Sequence, residues 1–333
     1  MMCSLIIPAY NAAKTLGECL KSAFDQTLSR DSYEVIVVDD GSTDETAQIA
    51  RGFPVRLIQQ SNHGPATARN AGAHHAQGDI LIFTDSDCEL DREFLRNMLE
   101  PFDHKDVMGV QGTYRTKQSE FMARFGQVEI ETRYQQMARH QYIDFIGTYA
   151  AAYRRDLFIS HGGFDTRFPL ASGEDTEFSY KLHKEGHKLI FNPSAFVYHQ
   201  HPSSLRHYLR VKFNRGYWRV YLYSLHPEKT LRDSYTPQSL KIQVLTVPLI
   251  LLGLPLSLVF SVGTIFMGVV AGAYFLWAIP FVKRFQAQEY RGAWRIPAIL
   301  MLRAGALALG LMAGFVKKEF GTSESCANQK TER

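Results

Sequence analysis

The sequence predicts an α/β protein, an open parallel sheet with helices on its faces, followed by apolar helices. Three observations predict it. Short apolar, β-branched runs alternate with helical periodicity through about residue 100, as in βαβ units with right-handed crossovers. Two of those runs end on carboxylates, Asp39-Asp40 and Asp85-Ser86-Asp87. Residues 244–282 carry no charged side chain.

At 333 residues the chain has room for one large domain or two smaller ones, and 45% hydrophobic content supplies a full core. Its four cysteines, Cys3, Cys19, Cys88 and Cys326, have no metal-ligand spacing, which fits a reduced compartment. The N-terminus lacks a basic leader and reads as a strand, not a signal peptide.

In order, residues 3–8 form an apolar strand ended by Pro8. Asn11 is placed to cap a helix over 12–24, with Leu16 and Leu20 on one face. Residues 33–38 form a second β-branched strand. Ser42 and Glu45 have capping-box spacing, so a helix should start at Ser42. A strand over 55–59 and a helix over 64–76 follow. Residues 80–83 are an unbroken apolar run, the pattern of a strand covered on both faces.

Asp85 and Asp87 come directly after that strand. In an open α/β sheet the carboxyl edge is where ligands bind. Two carboxylates one residue apart suit a hard divalent cation, which prefers oxygen and often bridges to phosphates. Asp-x-Asp alone also fits a solvated turn. Four carboxylates gathered at one edge repel one another without a cation.

The motifs Ile6-Ile7-Pro8-Ala9-Tyr10-Asn11, Val37-Val38-Asp39-Asp40-Gly41-Ser42-Thr43-Asp44, Ala68-Arg69-Asn70-Ala71-Gly72 and Thr84-Asp85-Ser86-Asp87 resemble, in order and spacing, the family 2 glycosyltransferases of GT-A fold. The resemblance continues through Gly147-Thr148-Tyr149-Ala150-Ala151, Gly162-Gly163-Phe164-Asp165, Ser172-Gly173-Glu174-Asp175 and Val197-Tyr198-His199. It covers roughly residues 3–202. It implies a mixed, mainly parallel sheet with a Rossmann-like N-terminal half. The amide the family often carries near Ala150 or Ala151 is absent.

The resemblance implies a set of site residues. Pro8, Ala9, Tyr10, Asp39, Asp40 and Arg69 contact the nucleotide. Asp85 and Ser86 lie near the ribose, and Gly147 and Thr148 form the donor-side glycine loop. Asp87, with Asp85 and His199, holds Mn²⁺ or Mg²⁺. Asp175 is the general base, with Glu174 as second candidate, in a single displacement with inversion. His201, two residues past His199, competes for the histidine role. Helical spacing puts Asp175, Phe178, Ser179 and Leu182 on one face. The simpler reading of Glu174 and Asp175 is first-turn carboxylates favoured by the helix dipole.

From residue 203 the chain turns basic and aromatic. Leu205, Leu209, Phe213, Tyr217, Tyr221 and Leu225 recur every four residues, flanked by Arg206, Arg210, Lys212, Arg215 and Arg219. This suits a helix lying in an anionic membrane surface, or one packed on the catalytic domain. Residues 244–282 as one helix would reach about 58 Å, nearly twice a hydrocarbon core, so two helices broken near 261–263 are expected. Residues 297–316 are a third candidate, weakened by Arg303. Lysine and arginine flanks put the catalytic side in the cytoplasm, although Lys317 and Lys318 do not fit a third crossing.

The expected organisation is a catalytic domain over 1–202, an interfacial segment over 203–240, transmembrane helices over 241–320 (about 244–261, 264–282 and 297–316) and a polar tail over 321–333. The expected protein is an enzyme of the cytoplasmic membrane. It would move one sugar from a nucleotide-sugar, a UDP-sugar by resemblance, to a lipid-linked or glycan acceptor in cell-envelope or polysaccharide synthesis. The Gln-x-x-Arg-Trp motif of processive members is absent, although Arg215-Gly216-Tyr217-Trp218 lies nearby. A non-catalytic nucleotide-sugar-binding or scaffolding subunit is the rival. A nucleotidyltransferase would carry a glycine-rich, lysine-bearing phosphate loop that this chain lacks. No nucleic-acid partner is expected, because the basic residues adjoin the apolar segment. Oligomers and other glycan-synthesis proteins are compatible partners.

Overall fold

The computed structural model describes residues 1–169, 172–259 and 261–317. Two compact units emerge: residues 1–117 with 137–200, and residues 118–136 with 201–317. The expected tail at 321–333 and Lys318 lie outside the described residues.

The first unit is built on an eight-stranded sheet. Its elements begin β1 (Cys3–Ala9), α1 (Leu16–Phe24), β2 (Tyr33–Asp39), α2 (Thr46–Arg51), β3 (Arg56–Gln59), α3 (Pro65–His75) and β4 (Ile80–Phe83). They continue β5 (Glu89–Leu90), α4 (Phe94–Leu99) and β6 (Val107–Arg115). After α5 (Phe121–Met137) come β7 (Ala151–Arg154), α6 (Arg155–Ser160), α7 (Glu174–Lys184) and β8 (Lys188–Tyr198). The strand order is β3-β2-β1-β4-β7-β6-β8-β5. The first four strands are parallel, β7 runs antiparallel to both neighbours, and β6 pairs parallel with β8. The expected mixed, mainly parallel sheet with a doubly wound first half is therefore the architecture found.

Strands read as continuous apolar runs because both faces are covered. Leu5, Ile7, Val35, Val37, Ile80 and Ile82 share one core with Leu16, Leu20, Phe94 and Leu95. On the other face Phe83, Tyr153, Phe158, Phe164 and Phe178 pack edge-on and tilted, with centroids 4.9 to 6.4 Å apart, the spacing aromatic pairs prefer. Helix α3 buries only small side chains and Arg69. A Cβ on its Gly72 would lie 2.5 Å from Ile6 Cγ2, so glycine lets the helix settle directly on β1.

Two expected helix starts are corrected. The helix expected over 12–24 begins at Leu16, and the one expected from Ser42 begins at Thr46. The would-be caps are used across loops instead. Asn11 N–H donates to Ser42 Oγ at 2.9 Å, Asn11 Oδ1 accepts from Thr43 N–H at 2.9 Å, and Ala12 N–H donates to Thr46 Oγ1 at 2.7 Å. Non-local bonds to the backbone outcompeted local capping.

The second unit contains α5 with α8 (Leu205–Leu225), α9 (Gln238–Val259), α10 (Ser261–Ala287) and α11 (Ile296–Val316). Residues 261–263, where the break was expected, form the first turn of α10, and residue 260 before them lies outside the described residues. Among the described residues two helices are long and apolar enough to cross a membrane, Ser261–Ala287 and Ala293–Val316. Of the expected stripe on helix α8, Tyr221 is buried, Leu205 and Leu209 pack partly buried against the core of this unit, and Phe213 is 36% exposed. The buried row includes Tyr208, Lys212 and Gly216. Lys212 Nζ donates to Glu129 at 2.8 Å, Tyr208 Oη donates to the same carboxylate at 2.7 Å, and Arg133 binds it at 2.9 Å. Burial would raise the Glu129 carboxyl, but Lys212, Arg303 and Arg133 hold it well below its ordinary value. The buried row of α8 therefore carries a cation that Glu129 pairs, as a buried charge requires.

Candidate active site

The parallel register carries the ends of β1, β2 and β4 to one edge of the sheet, where Ala9 lies opposite Asp39 and Ile6 opposite Phe83. β4 stops there, so Pro8 and Ala9 extend past it. Tyr10 is 49% exposed at the rim. Asp39 is buried, accepting from Ser42 N–H at 3.0 Å and Gln59 Nε2 at 3.2 Å. Asp40 is placed differently. Its oxygens accept from Gln60 Nε2 and from the backbone N–H groups of His63 and Gly64 at 2.7 to 2.9 Å, so it fastens the loop before α3.

Past β4, Thr84 Oγ1 donates to the Tyr149 carbonyl at 2.9 Å, and Cys88 N–H closes a turn onto the Asp85 carbonyl at 3.0 Å. Ser86, inside this turn, is half-buried. Ligand atoms of Asp85, Asp87, Cys88 and His199 lie within 4.8 Å of one another. His199 Nε2 is 3.6 Å from Asp87 Oδ2. Burial and the Asp85 charge push the Asp87 carboxyl up, while His199 pulls it down. Burial and both aspartates push the Cys88 thiol well above its ordinary value. The two carboxylates and the imidazole are the hard and borderline donors of this group, which makes Asp85, Asp87 and His199 the candidate donor set for a hard cation. Two oxygens and a nitrogen beside a repelling carboxylate pair fit a divalent cation.

Of the two candidate histidines, His199 is the one at this cluster. His201 belongs to the second unit, where its Nε2 meets Gln127 Oε1 at 3.0 Å.

Arg69 joins the cluster to the acidic helix. It is 2% exposed, and its Nη2 donates to Asp85 Oδ1 at 2.6 Å and its Nη1 to Glu174 Oε1 at 3.0 Å. Glu174 Oε2 accepts from the N–H groups of Ser172 and Gly173 at 3.0 and 3.1 Å. Burial and the adjacent Asp175 push the Glu174 carboxyl up to about 7, against the pull of Arg69. Asp175, by contrast, is half-buried. Its carbonyl and Ile146 anchor Ser179, and Phe178, Ser179 and Leu182 below it are fully buried. Asp175 is therefore the more open carboxylate at the mouth of α7, and Glu174 is a strut behind it.

The donor-side turn lies beside the cluster. Gly147 N–H donates to Gln111 Oε1, and Thr148 is buried. Tyr114 connects the two, its ring 4.5 Å from Tyr149 edge-on and 5.0 Å from His199. Sequence reasoning missed Tyr114 and Gln111, and quoted Asn70 within a motif without giving it a role. Asn70 binds the backbone of Phe164 in both directions at 2.8 and 2.9 Å. A buried-position amide in a strand was the signal available for Gln111. Nothing in the local pattern marked Tyr114.

The family model for Glycosyl transferase family 2 matches residues 4–162. The chain is 31% identical over 198 residues to Glycosyltransferase AglE of Haloferax volcanii, a match covering 56% of this chain and 63% of that protein. It is 27% identical over 219 residues to the uncharacterized glycosyltransferase EpsJ of Bacillus subtilis, covering 61% of this chain and 62% of the relative. The chain thus spans less than two thirds of the length of these relatives. A structure of mannosyltransferase PcManGT from Pyrobaculum calidifontis, in complex with GDP-Man and Mn²⁺, superposes with a TM-score of 0.62 at 22% identity, covering 95% of this chain and 88% of that one. Staphylococcus aureus TarS 1–349 gives a TM-score of 0.50 at 19% identity, covering 97% and 93%. These likenesses show the GT-A fold. The chain's likeness to glycosyl transferase family 2 rests on the family match over residues 4–162.

Proposed function

We propose that the protein is a membrane-anchored, divalent-metal-dependent, inverting glycosyltransferase. It moves one sugar from a nucleotide-diphosphate-sugar to a lipid-linked or glycan acceptor. The observation that carries this reading is the double contact of Arg69, which ties the candidate cation cluster at Asp85 to the acidic start of α7 at Glu174.

Each residue has a physical task. Tyr10 and Asp39 face the nucleoside, with a carboxylate suited to accept from a base N–H. Asp85, Asp87 and His199 would hold Mn²⁺ or Mg²⁺, and a divalent ion there would supply positive charge against the diphosphate leaving group. Asp175 takes the proton from the acceptor hydroxyl as that oxygen bonds the anomeric carbon. The bond from that carbon to the diphosphate oxygen breaks, and the nucleoside diphosphate departs. Arg69 and Glu174 position Asp85 and the first turn of α7. UDP is the nucleotide implied by resemblance, and the GDP-Man of the Pyrobaculum complex makes GDP the next to test.

Helices α10 and α11 serve as the membrane anchor, with Arg291, Arg295 and Lys283 at the polar ends placing the enzyme on the cytoplasmic face. The test is a screen of the purified full chain against UDP-, GDP- and dTDP-sugars, with Mn²⁺ or with chelator. Metal-dependent release of nucleoside diphosphate from one donor class is expected. Failure to turn over any donor, with retained donor binding, would favour the non-catalytic subunit. Long polymer products would overturn single-sugar transfer.

A further inference from the structure

The second unit contains a cavity of about 610 Å³, lined by Arg124 of α5 and by the connection between α10 and α11, including Glu289, Tyr290, Arg291, Trp294 and Arg295. Its chemistry is cationic and aromatic. Arg124 sits 4.9 Å over the Tyr290 ring and donates to its hydroxyl at 3.1 Å. Arg295 lies 5.2 Å from the Trp294 ring and 5.6 Å from that of Phe121. These contacts orient the guanidiniums without neutralising them. None of the three arginines has a carboxylate ion-pair partner among the described residues, and Glu289 is the one carboxylate in the lining. Elsewhere in the same unit Arg133, Lys212 and Arg303 gather on Glu129.

The position of the cavity narrows the ligand. It lies where two helices able to cross a membrane join, and Trp294, 79% exposed, is a side chain favoured at the membrane–water boundary. Below it, Phe275, Leu276 and Ile279 of α10 are exposed, as are Leu302 and Leu309 of α11. We propose that Arg124, Arg291 and Arg295 form a binding site for the phosphate headgroup of a membrane lipid, whose acyl or prenyl chain runs along the apolar helices. Guanidinium groups pair with phosphate oxygens two at a time, and desolvation at the membrane surface strengthens that pairing. The inference rests on the membrane reading above and is independent of the transfer reaction.

The test uses the full chain in neutral detergent, titrated with dioctanoyl phosphatidic acid, dioctanoyl phosphatidylcholine and inorganic phosphate, and read by native mass spectrometry and thermal shift. Saturable binding of the anionic lipid, at least tenfold tighter than either of the others, is expected. The double variant Arg291→Gln/Arg295→Gln should weaken it at least tenfold. Glu289→Gln should tighten it severalfold, a gain that misfolding cannot imitate. Phosphate binding as tightly as the lipid would overturn the lipid assignment, and so would unchanged binding by the double variant. Absence of lipid binding would overturn the site. Fractionation of the wild-type chain with membranes tests the anchor separately, so failure of one is distinguishable from failure of the other.

Discussion

Arg69 Nη2 lies 2.6 Å from Asp85 Oδ1, and both belong to the crevice at the carboxyl edge of the sheet. The arginine is almost wholly buried, while Asp85 keeps 29% of its side chain exposed. One carboxylate therefore faces the ligand side with its far oxygen already oriented. Arg69→Lys should retain a charge but lose the two-pronged hold on Asp85 and Glu174. Because the charge is kept and Asp85 is partly exposed, the stability loss should be smaller than the about 3–5 kcal/mol of removing a buried partner outright. Denaturant unfolding should show that smaller loss, and turnover should fall by more than the change in donor affinity. Wild-type kinetics in the lysine variant would remove Arg69 from the site's architecture.

Asp175→Asn and Glu174→Gln should separate chemistry from support. A general base contributes about 10²–10⁴-fold in rate, so Asp175→Asn should lose kcat in that range with KM for the donor little changed. Glu174→Gln keeps an acceptor for the Ser172 and Gly173 N–H groups but weakens the Arg69 pair, so its kcat loss should be smaller. Steady-state kinetics with saturating acceptor distinguishes the two. Full turnover by Asp175→Asn would falsify its role as base.

The pH dependence of stability has a defined sign at Glu174. Its carboxyl, ordinarily near 4.5, is raised to about 7 by burial and by Asp175. The folded state therefore holds this proton more tightly than the unfolded state. The stabilisation is complete below the unfolded value and is lost as the pH rises through about 7. Between those values this group contributes a slope approaching about 1.4 kcal/mol per pH unit. Unfolding at a series of pH values should show stability declining across that window, and Glu174→Gln should flatten the decline.

Metal removal should act through Asp87 and His199. Asp87→Asn removes a charged oxygen ligand, and His199→Ala removes the nitrogen. Each should raise the Mn²⁺ concentration needed for half-maximal activity by about tenfold or more, on the scale of lost support for a metal site. His201→Ala should leave that concentration unchanged. Manganese titration of chelator-treated protein reads all three. An equal effect from His201→Ala would contradict the placement of the two histidines.

Gly72→Val tests the seating of α3 without touching a polar group. A Cβ there would meet Ile6 Cγ2 at 2.5 Å and Val38 Cγ2 at 3.2 Å, and overpacking of this kind costs about 1–3 kcal/mol. Because α3 carries Arg69, a fall in activity alongside the stability loss is expected. Retained stability would show that the helix can lift off β1 at little cost.

The sequence by itself determined the parallel half of the sheet and the edge on which its carboxylates gather. Four apolar runs can be covered on both faces only by helices between them, and each run's end is a local fact. The acidic motifs and their spacing were legible for the same reason. Only the tertiary structure decided that Arg69 joins Asp85 to Glu174, a residue 105 positions away in the chain. The same holds for the placement of His199 beside Asp87 and of His201 beside Gln127, the bonds from the loop before α3 to Asp40, and the displacement of two helix starts by bonds from Asn11 and Ala12. Periodicity and capping are short-range preferences of a few tenths to about 1 kcal/mol. Burying a charge or an unpaired donor costs more than that, so the folded chain assigns polar partners by proximity in space, and no local pattern can announce which they will be.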